Sequence, residues 1–186
     1  MVRRVLDSLA VSTRMLRIPL VLSLLLAGAL AGSPAAGAAD RSERERIVVR
    51  VAHGPIQPIG TVDAPPAGPS VGDFSAFYSP VTRPGKKSTI GWWSGSLTTV
   101  AVGQPAADSQ LRTTNFVFTI GRIENQIEVG GIASYPLTSP TLAKGTVTIR
   151  PVIGGSGRYD GARGYARTVH TVRDTWTHTF YLTVDR

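Results

Sequence analysis

The chain carries three histidines, His53, His170 and His178, no cysteine, and twenty basic against twelve acidic residues. Its chemistry must therefore come from imidazole, guanidinium, hydroxyl or carboxyl groups, because a thiol nucleophile and disulfides are excluded. Imidazole titrates near neutrality, which makes His170 or His178 a candidate general acid or base in a sheltered pocket. A three-residue turn at 173–175 would set these two histidines opposite each other on one face, and a two-residue turn would not. No cysteine or clustered carboxylate accompanies them, so a metal centre lacks ligands, and neither metal nor organic cofactor is expected. Ser94, in Trp92-Trp93-Ser94-Gly95-Ser96, lacks the preceding glycine of a nucleophile elbow.

The most distinctive segment runs Gly154-Gly155-Ser156-Gly157-Arg158-Tyr159-Asp160-Gly161-Ala162-Arg163-Gly164-Tyr165. It lacks the Lys-Ser/Thr ending of a phosphate-binding loop, and a strand pattern follows where a helix would be needed. Nucleotide binding is not indicated. Read structurally, Gly154, Gly155, Gly157, Gly161 and Gly164 supply positive φ and close backbone approach where the chain turns between two strands.

The elements that must position these groups begin after an N-terminal leader. Arg3, Arg4, Arg14 and Arg17 precede an apolar run from Ile18 to Ala31 and a small-residue stretch ending at Ala39, the order of a cleaved secretory signal peptide. The apolar run is shorter than the roughly 18 to 20 residues of a membrane span, so no stable span is expected. Residues 40–46, DRSERER, read as a charged flexible tether, and 47–186 as one folded domain of an exported protein, extracellular or in the cell envelope. That domain is all-β. Runs of β-branched and aromatic residues at 47–53, 72–79, 88–101, 112–120, 125–135, 145–152, 162–172 and 175–184 are separated by Gly, Pro, Ser and Asp, with no sustained 3.6-residue period. Gly121-Arg122 and Arg173-Asp174 read as hairpin turns, and 55–70 as a long loop. Eight antiparallel strands without a covering helix must stack or close, and closure predicts an eight-stranded antiparallel β-barrel with room for side chains or one small ligand.

Alternation along those strands selects the lining. Trp176, His178, Phe180, Leu182 and Val184 share one face of the last strand, and Tyr181 with four threonines the other. Phe116, Phe118 and Ile120 form a similar stripe, as do Phe74, Ala76 and Tyr78, while Trp92 and Trp93 point to opposite sides of their strand. Tyr78, Trp92, Phe116, Phe118, Tyr165 and Tyr181 are the candidate ligand contacts; the alternative reading makes such aromatics ordinary core.

Without residues 1–39 the chain has sixteen basic and eleven acidic residues, a net charge of +5. The basic residues are scattered and not interleaved with aromatics, so nucleic acid is not an expected partner. Arginine greatly outnumbers lysine and alanine is abundant, the codon signature of a GC-rich, bacterial genome.

The segment GGSG-R-Y-D-G-A-R-G-Y resembles one shared by allene oxide cyclases and dirigent proteins, and the ending Thr177-His178-Thr179-Phe180-Tyr181-Leu182 is similar to the closing strand of the cyclases. Gly72–Tyr78 and Gln126–Gly131 add weaker echoes. The resemblance implies an eight-stranded barrel with an apolar cavity, homo-oligomeric as a trimer or dimer, that works without a cofactor by holding a reactant in one conformation and excluding water. Two positions depart from that pattern. The first strand has no carboxylate where the cyclases place a glutamate, and Arg158 follows the glycines where many dirigent proteins have an acid. Arg163 matches the dirigent A-R-G arginine, either as a pocket donor or as a brace paired with Asp160. Arg50, Arg163 and His178 are thus the candidate polar groups of a cavity that binds an apolar or aromatic small molecule and steers its cyclisation or coupling as a cofactor-free isomerase. The alternative is a non-catalytic envelope or host-facing protein that binds through its outer surface.

Overall fold

The computed structural model describes residues 44–185. The expected signal segment and the first part of the tether, residues 40–43, lie outside the described residues. From Arg44 onward, alternating β-branched and aromatic residues form ten strands: β1 (Arg44–His53), β2 (Gly60–Val62), β3 (Phe74–Thr82), β4 (Thr89–Val102), β5 (Ser109–Ile120), β6 (Gln126–Val129), β7 (Ile132–Pro136), β8 (Val147–Ser156), β9 (Arg163–His170) and β10 (Trp176–Asp185). Among the described residues the only helical turn is a 3-10 turn at Gly157–Tyr159.

Neighbouring strands pair antiparallel in the order β1-β10-β9-β8-β6-β5-β4-β3, and β1 pairs β3, so the sheet closes into a ring of eight strands. This is the closure that strand count and absence of helices predict. The short β7 continues the path of β6 along β5, and β2 adds a rung outside the ring on β3. The closing seam is narrow: only Ala52 and Thr82 are paired across it, with the Thr82 hydroxyl donating to the Ala52 carbonyl at 3.3 Å.

Four local expectations change. Arg44, Glu45 and Arg46 are strand and not tether, because they complete the ladder opposite Asp185, Val184 and Thr183. The expected single strand at 125–135 breaks at Gly130-Gly131 into β6, which lies between β5 and β8, and β7, which pairs with β5. The stripe Phe74, Ala76 and Tyr78 does not face the interior; Phe77 and Val81 hold the inward parity and are buried. The β9–β10 connection takes five residues, Thr171 to Thr175, so His178 lies across from Thr168 and His170 from Trp176.

The ring interior is packed by Val51, Phe77, Trp93, Leu97, Phe118, Ile127, Phe180 and Leu182, all buried. Each such side chain contributes about 1.5–3 kcal/mol by leaving water. The glycine segment serves this packing in two ways. Gly157, Gly161 and Gly164 hold positive φ, at 61°, 64° and 138°. Gly154 and Gly155, by contrast, are part of β8, and a Cβ on Gly155 would run into the carbonyl oxygens of Tyr159 and Gln126. A Cβ on Gly154 would meet only the flexible Glu128 carboxylate at 3.4 Å. Gly155→Ala is therefore expected to lower unfolding free energy by about 2 kcal/mol or more, and Gly154→Ala by less than about 1 kcal/mol, in urea titrations. Equal losses would refute this account of the segment.

Candidate functional site

The interior holds a cavity of about 20 Å³, space for roughly one water molecule. Its wall is built where inward positions of β1, β4, β5, β8, β9 and β10 converge: His53, Trp93, Phe116, Arg150, Thr168, Trp176 and His178. Ile56, from the chain after β1, and Thr141 and Leu142, from the connection 137–146, close it over. Leu142 is buried, and its loop is stapled down by side chains of the ring. Arg112 donates to the Ser139 and Pro140 carbonyls at 3.0 and 2.8 Å, Gln110 to those of Pro136 and Leu137 at 3.2 and 2.8 Å, and His170 Nδ1 to that of Leu142 at 2.7 Å.

Two imidazoles meet at the wall, and their hydrogen bonds fix their tautomers. His53 Nδ1 lies 2.8 Å from the Gly54 carbonyl, which can only accept, so this nitrogen carries the proton. His53 Nε2 then accepts from His178 Nε2 at 3.1 Å, and His178 Nδ1 accepts from the Thr168 hydroxyl at 3.0 Å. The chain runs from Thr168 through His178 and His53 to Gly54 with every partner satisfied and both rings neutral. Burial lowers the pKa of His53 to about 4, the Gly54 carbonyl opposing and His170 assisting. Burial, with His53 and Arg150 nearby, holds His178 well below the usual imidazole range. His53 is stacked on Trp93 and Trp176, with ring centroids 5.1 and 5.9 Å apart.

Beside this pair lies Arg150, 2% exposed. Its Nη2 donates to the Tyr135 hydroxyl at 2.7 Å and its Nη1 to Thr148 Oγ1 at 2.8 Å, and the guanidinium sits 5.8 Å from the Phe116 ring centroid. Its Nε has no hydrogen-bond partner, and neither has Trp93 Nε1. Burial raises the Tyr135 pKa against the opposing pull of Arg150 and Arg112, which keeps it a neutral phenol.

Of the sequence-predicted residues, the ring brings His178 and Phe116 to the cavity, with Phe118 packed behind them, 4.8 Å from the His178 ring. Arg50, Arg163, Tyr78, Trp92, Tyr165 and Tyr181 are exposed on the outer face. Strand parity is the reason: Val51 and His53 take the inward positions next to Arg50, Phe77 next to Tyr78, Trp93 next to Trp92, Ala166 next to Tyr165, and Phe180 and Leu182 around Tyr181. Arg163 donates to the Ala162 carbonyl at 2.7 Å, and among the described residues no salt bridge joins it to Asp160. The Asp160 carbonyl instead receives the Asp185 amide at 3.1 Å. Tyr165 and Tyr181 are stacked 4.9 Å apart on the outside, in a row that Val48 extends across β1, β10 and β9. Sequence reasoning missed Arg150, Tyr135, His53 and Thr168 as site residues. The available signal was parity, since Thr148 and Arg150 alternate with Ile149 on the same face as Val152.

No family matches the chain in sequence, and no curated protein does. Among solved structures it is similar to a pyocyanin demethylase, at 16% identity and a TM-score of 0.55 over 73% of this chain and 99% of that one. It is similar to a pterocarpan synthase dirigent protein, at 13% identity and a TM-score of 0.55 over 78% and 93% of the two chains. The Diels-Alderase AbmU from Streptomyces koyangensis matches at 18% identity and a TM-score of 0.52 over 78% and 71%. At these identities the likeness is one of fold.

The neutral imidazole pair has a consequence for stability. Between pH 6.5, where His53 titrates in the unfolded chain, and about 4, where it titrates when folded, the unfolded chain binds more protons. Stability is thus full above pH 6.5 and falls as pH drops through this window, by roughly 3 kcal/mol from His53 alone. Urea titrations between pH 7 and 4 should show that fall, and His53→Gln should flatten it; an unchanged slope in the variant would place the loss elsewhere.

Proposed function

We propose that the chain is an exported barrel that takes a compact apolar or aromatic molecule into its interior and steers its cyclisation or coupling without a cofactor. The observation that carries this reading is the cavity, walled by Trp93, Phe116 and Trp176 and bordered by the polar side chains of His53, Arg150, Thr168 and His178. Such a wall holds a flexible reactant in one conformation and keeps water from it, which lowers the entropic part of a ring-closing barrier. The His53–His178 pair is poised to move a proton at the wall, because one ring donates and the other accepts along a continuous chain ending at Thr168. The likeness in fold to a dirigent protein and a Diels-Alderase is an analogy that agrees with this chemistry.

A space of about 20 Å³ admits no such molecule until the mouth opens, and the side chains that fill the mouth are Leu142 and Ile56. Leu142→Ala removes the more deeply buried plug. The variant is expected to bind the neutral probe N-phenyl-1-naphthylamine at least tenfold more tightly than the native chain, with quenching of tryptophan fluorescence. No gain in affinity would overturn the cavity reading.

A second reading is favoured by the same small volume: an envelope or host-facing protein that binds through its outer surface. Val48, Ile149, Ile153, Tyr165 and Tyr181 are exposed on adjacent strands there, at 55, 65, 54, 43 and 36%. We assign this stripe to self-association, since a contiguous apolar sheet face is stabilised by a second copy of itself. Native mass spectrometry of protein recovered from culture medium should show an oligomer whose chain lacks the leader, and Tyr165→Glu with Tyr181→Glu should yield monomer. A native monomer would leave the stripe to an external partner.

A further inference from the structure

The guanidinium of Arg150, a residue 2% exposed, is costly to bury unless an anion compensates it, yet among the described residues no salt bridge reaches it. Its hydrogen-bond partners are the hydroxyls of Tyr135 and Thr148, and its flanks are the ring faces of Phe116 and Tyr135, at 5.8 and 5.9 Å. Tyr135 does not serve as an internal counter-ion, because burial keeps its phenol protonated. The two histidines offer no negative charge.

Two donors next to the cavity are also left without acceptors, Arg150 Nε and Trp93 Nε1. Buried polar groups are paired in folded proteins as a rule, so two orphans at one cavity point to a missing acceptor. A single water would satisfy hydrogen bonds but would leave the positive charge uncompensated. An oxyanion does both.

We propose that the cavity takes a planar ligand bearing a carboxylate, whose oxygens are held by Arg150 and Trp93 while its apolar body lies against Phe116 and Phe77. This inference rests on the uptake of a small molecule proposed above, and names the ligand class. The carboxylate makes charge-assisted bonds to a fork otherwise occupied by neutral hydroxyls, and the aromatic walls select a flat body. Arg150 is then a specificity-determining residue, and the imidazole pair stays neutral beside the bound anion.

The test compares cinnamate with the isosteric, uncharged cinnamamide by isothermal titration calorimetry at pH 7, on the Leu142→Ala chain. Cinnamate is expected to bind at least tenfold more tightly than cinnamamide, and Arg150→Gln in that background to bring the ratio close to one. Arg150→Lys, which keeps the charge and loses the fork, should retain part of the preference and serves where the Gln variant does not fold. Equal binding of the two probes overturns the carboxylate inference and leaves small-molecule uptake standing. Binding of N-phenyl-1-naphthylamine without binding of cinnamate does the same. Failure of all three probes to bind overturns both.

Discussion

Closure of eight strands into a ring is the constraint on which the remaining features depend. It fixes the interior volume, and alternation decides which residues share it. Large aromatics from β4, β5 and β10 enter from several sides, and among Trp93, Phe116 and Trp176 lies a cavity of about 20 Å³. The ring also imposes its own weak point. The strands on either side of the seam meet through one residue pair, so the stability of closure rests on the core and on the long ladders elsewhere, above all the ten-residue register of β1 with β10.

Within that volume the polar groups are not scattered. Thr168, His178, His53 and Gly54 form one saturated chain, and Arg150, Tyr135 and Thr148 a second that is not saturated. The difference is instructive. A saturated chain of neutral groups is tolerated in a core because each donor has an acceptor, and its cost appears only when acid forces a proton onto it. The unsaturated set leaves Arg150 Nε and Trp93 Nε1 without a partner, and both residues line the cavity. Arg112 shows the contrast: it too is mostly buried, but its bonds go to the carbonyls of Ser139 and Pro140, where they hold the loop that carries Leu142.

Much of the architecture was legible in the sequence, because strand runs, turn residues and the missing helical period are local properties. The interior was less legible, and for one physical reason: a period of two gives faces but not their direction. Trp92 and Trp93 illustrate this, since either is a good core residue and only the partner strands decide. On β8 the pattern misleads outright. Ile149 and Ile153, the apolar residues, face outward, while Arg150 faces inward with Thr148 and Val152. In the glycine segment Gly154 and Gly155 belong to a strand, where neighbouring carbonyls approach Gly155 too closely for a side chain, and the later glycines hold the positive φ values that turn the chain. The five-residue loop before β10 was out of reach because Asp174 adopts a positive φ of 61°, a conformation open to Asp but not marked by glycine.

The fold likeness to a demethylase, a dirigent protein and a Diels-Alderase does not by itself choose among chemistries, since proteins of similar fold perform all three. The chemistry open to this chain is set by how its interior is filled. The resemblance seen in the glycine segment suggested an arginine at Arg163 as the pocket donor, yet parity turns that side chain to solvent and brings Arg150, two strand positions before Val152, into the cavity. The guanidinium is supplied from a different strand, β8, and an imidazole, that of His53, enters from the end of β1. Under the proposed function, an interior with a fixed positive charge and a neutral imidazole pair favours reactions in which negative charge is held in place while a proton moves. It disfavours those that pass through a cation, because Arg150 would oppose positive charge developing beside it.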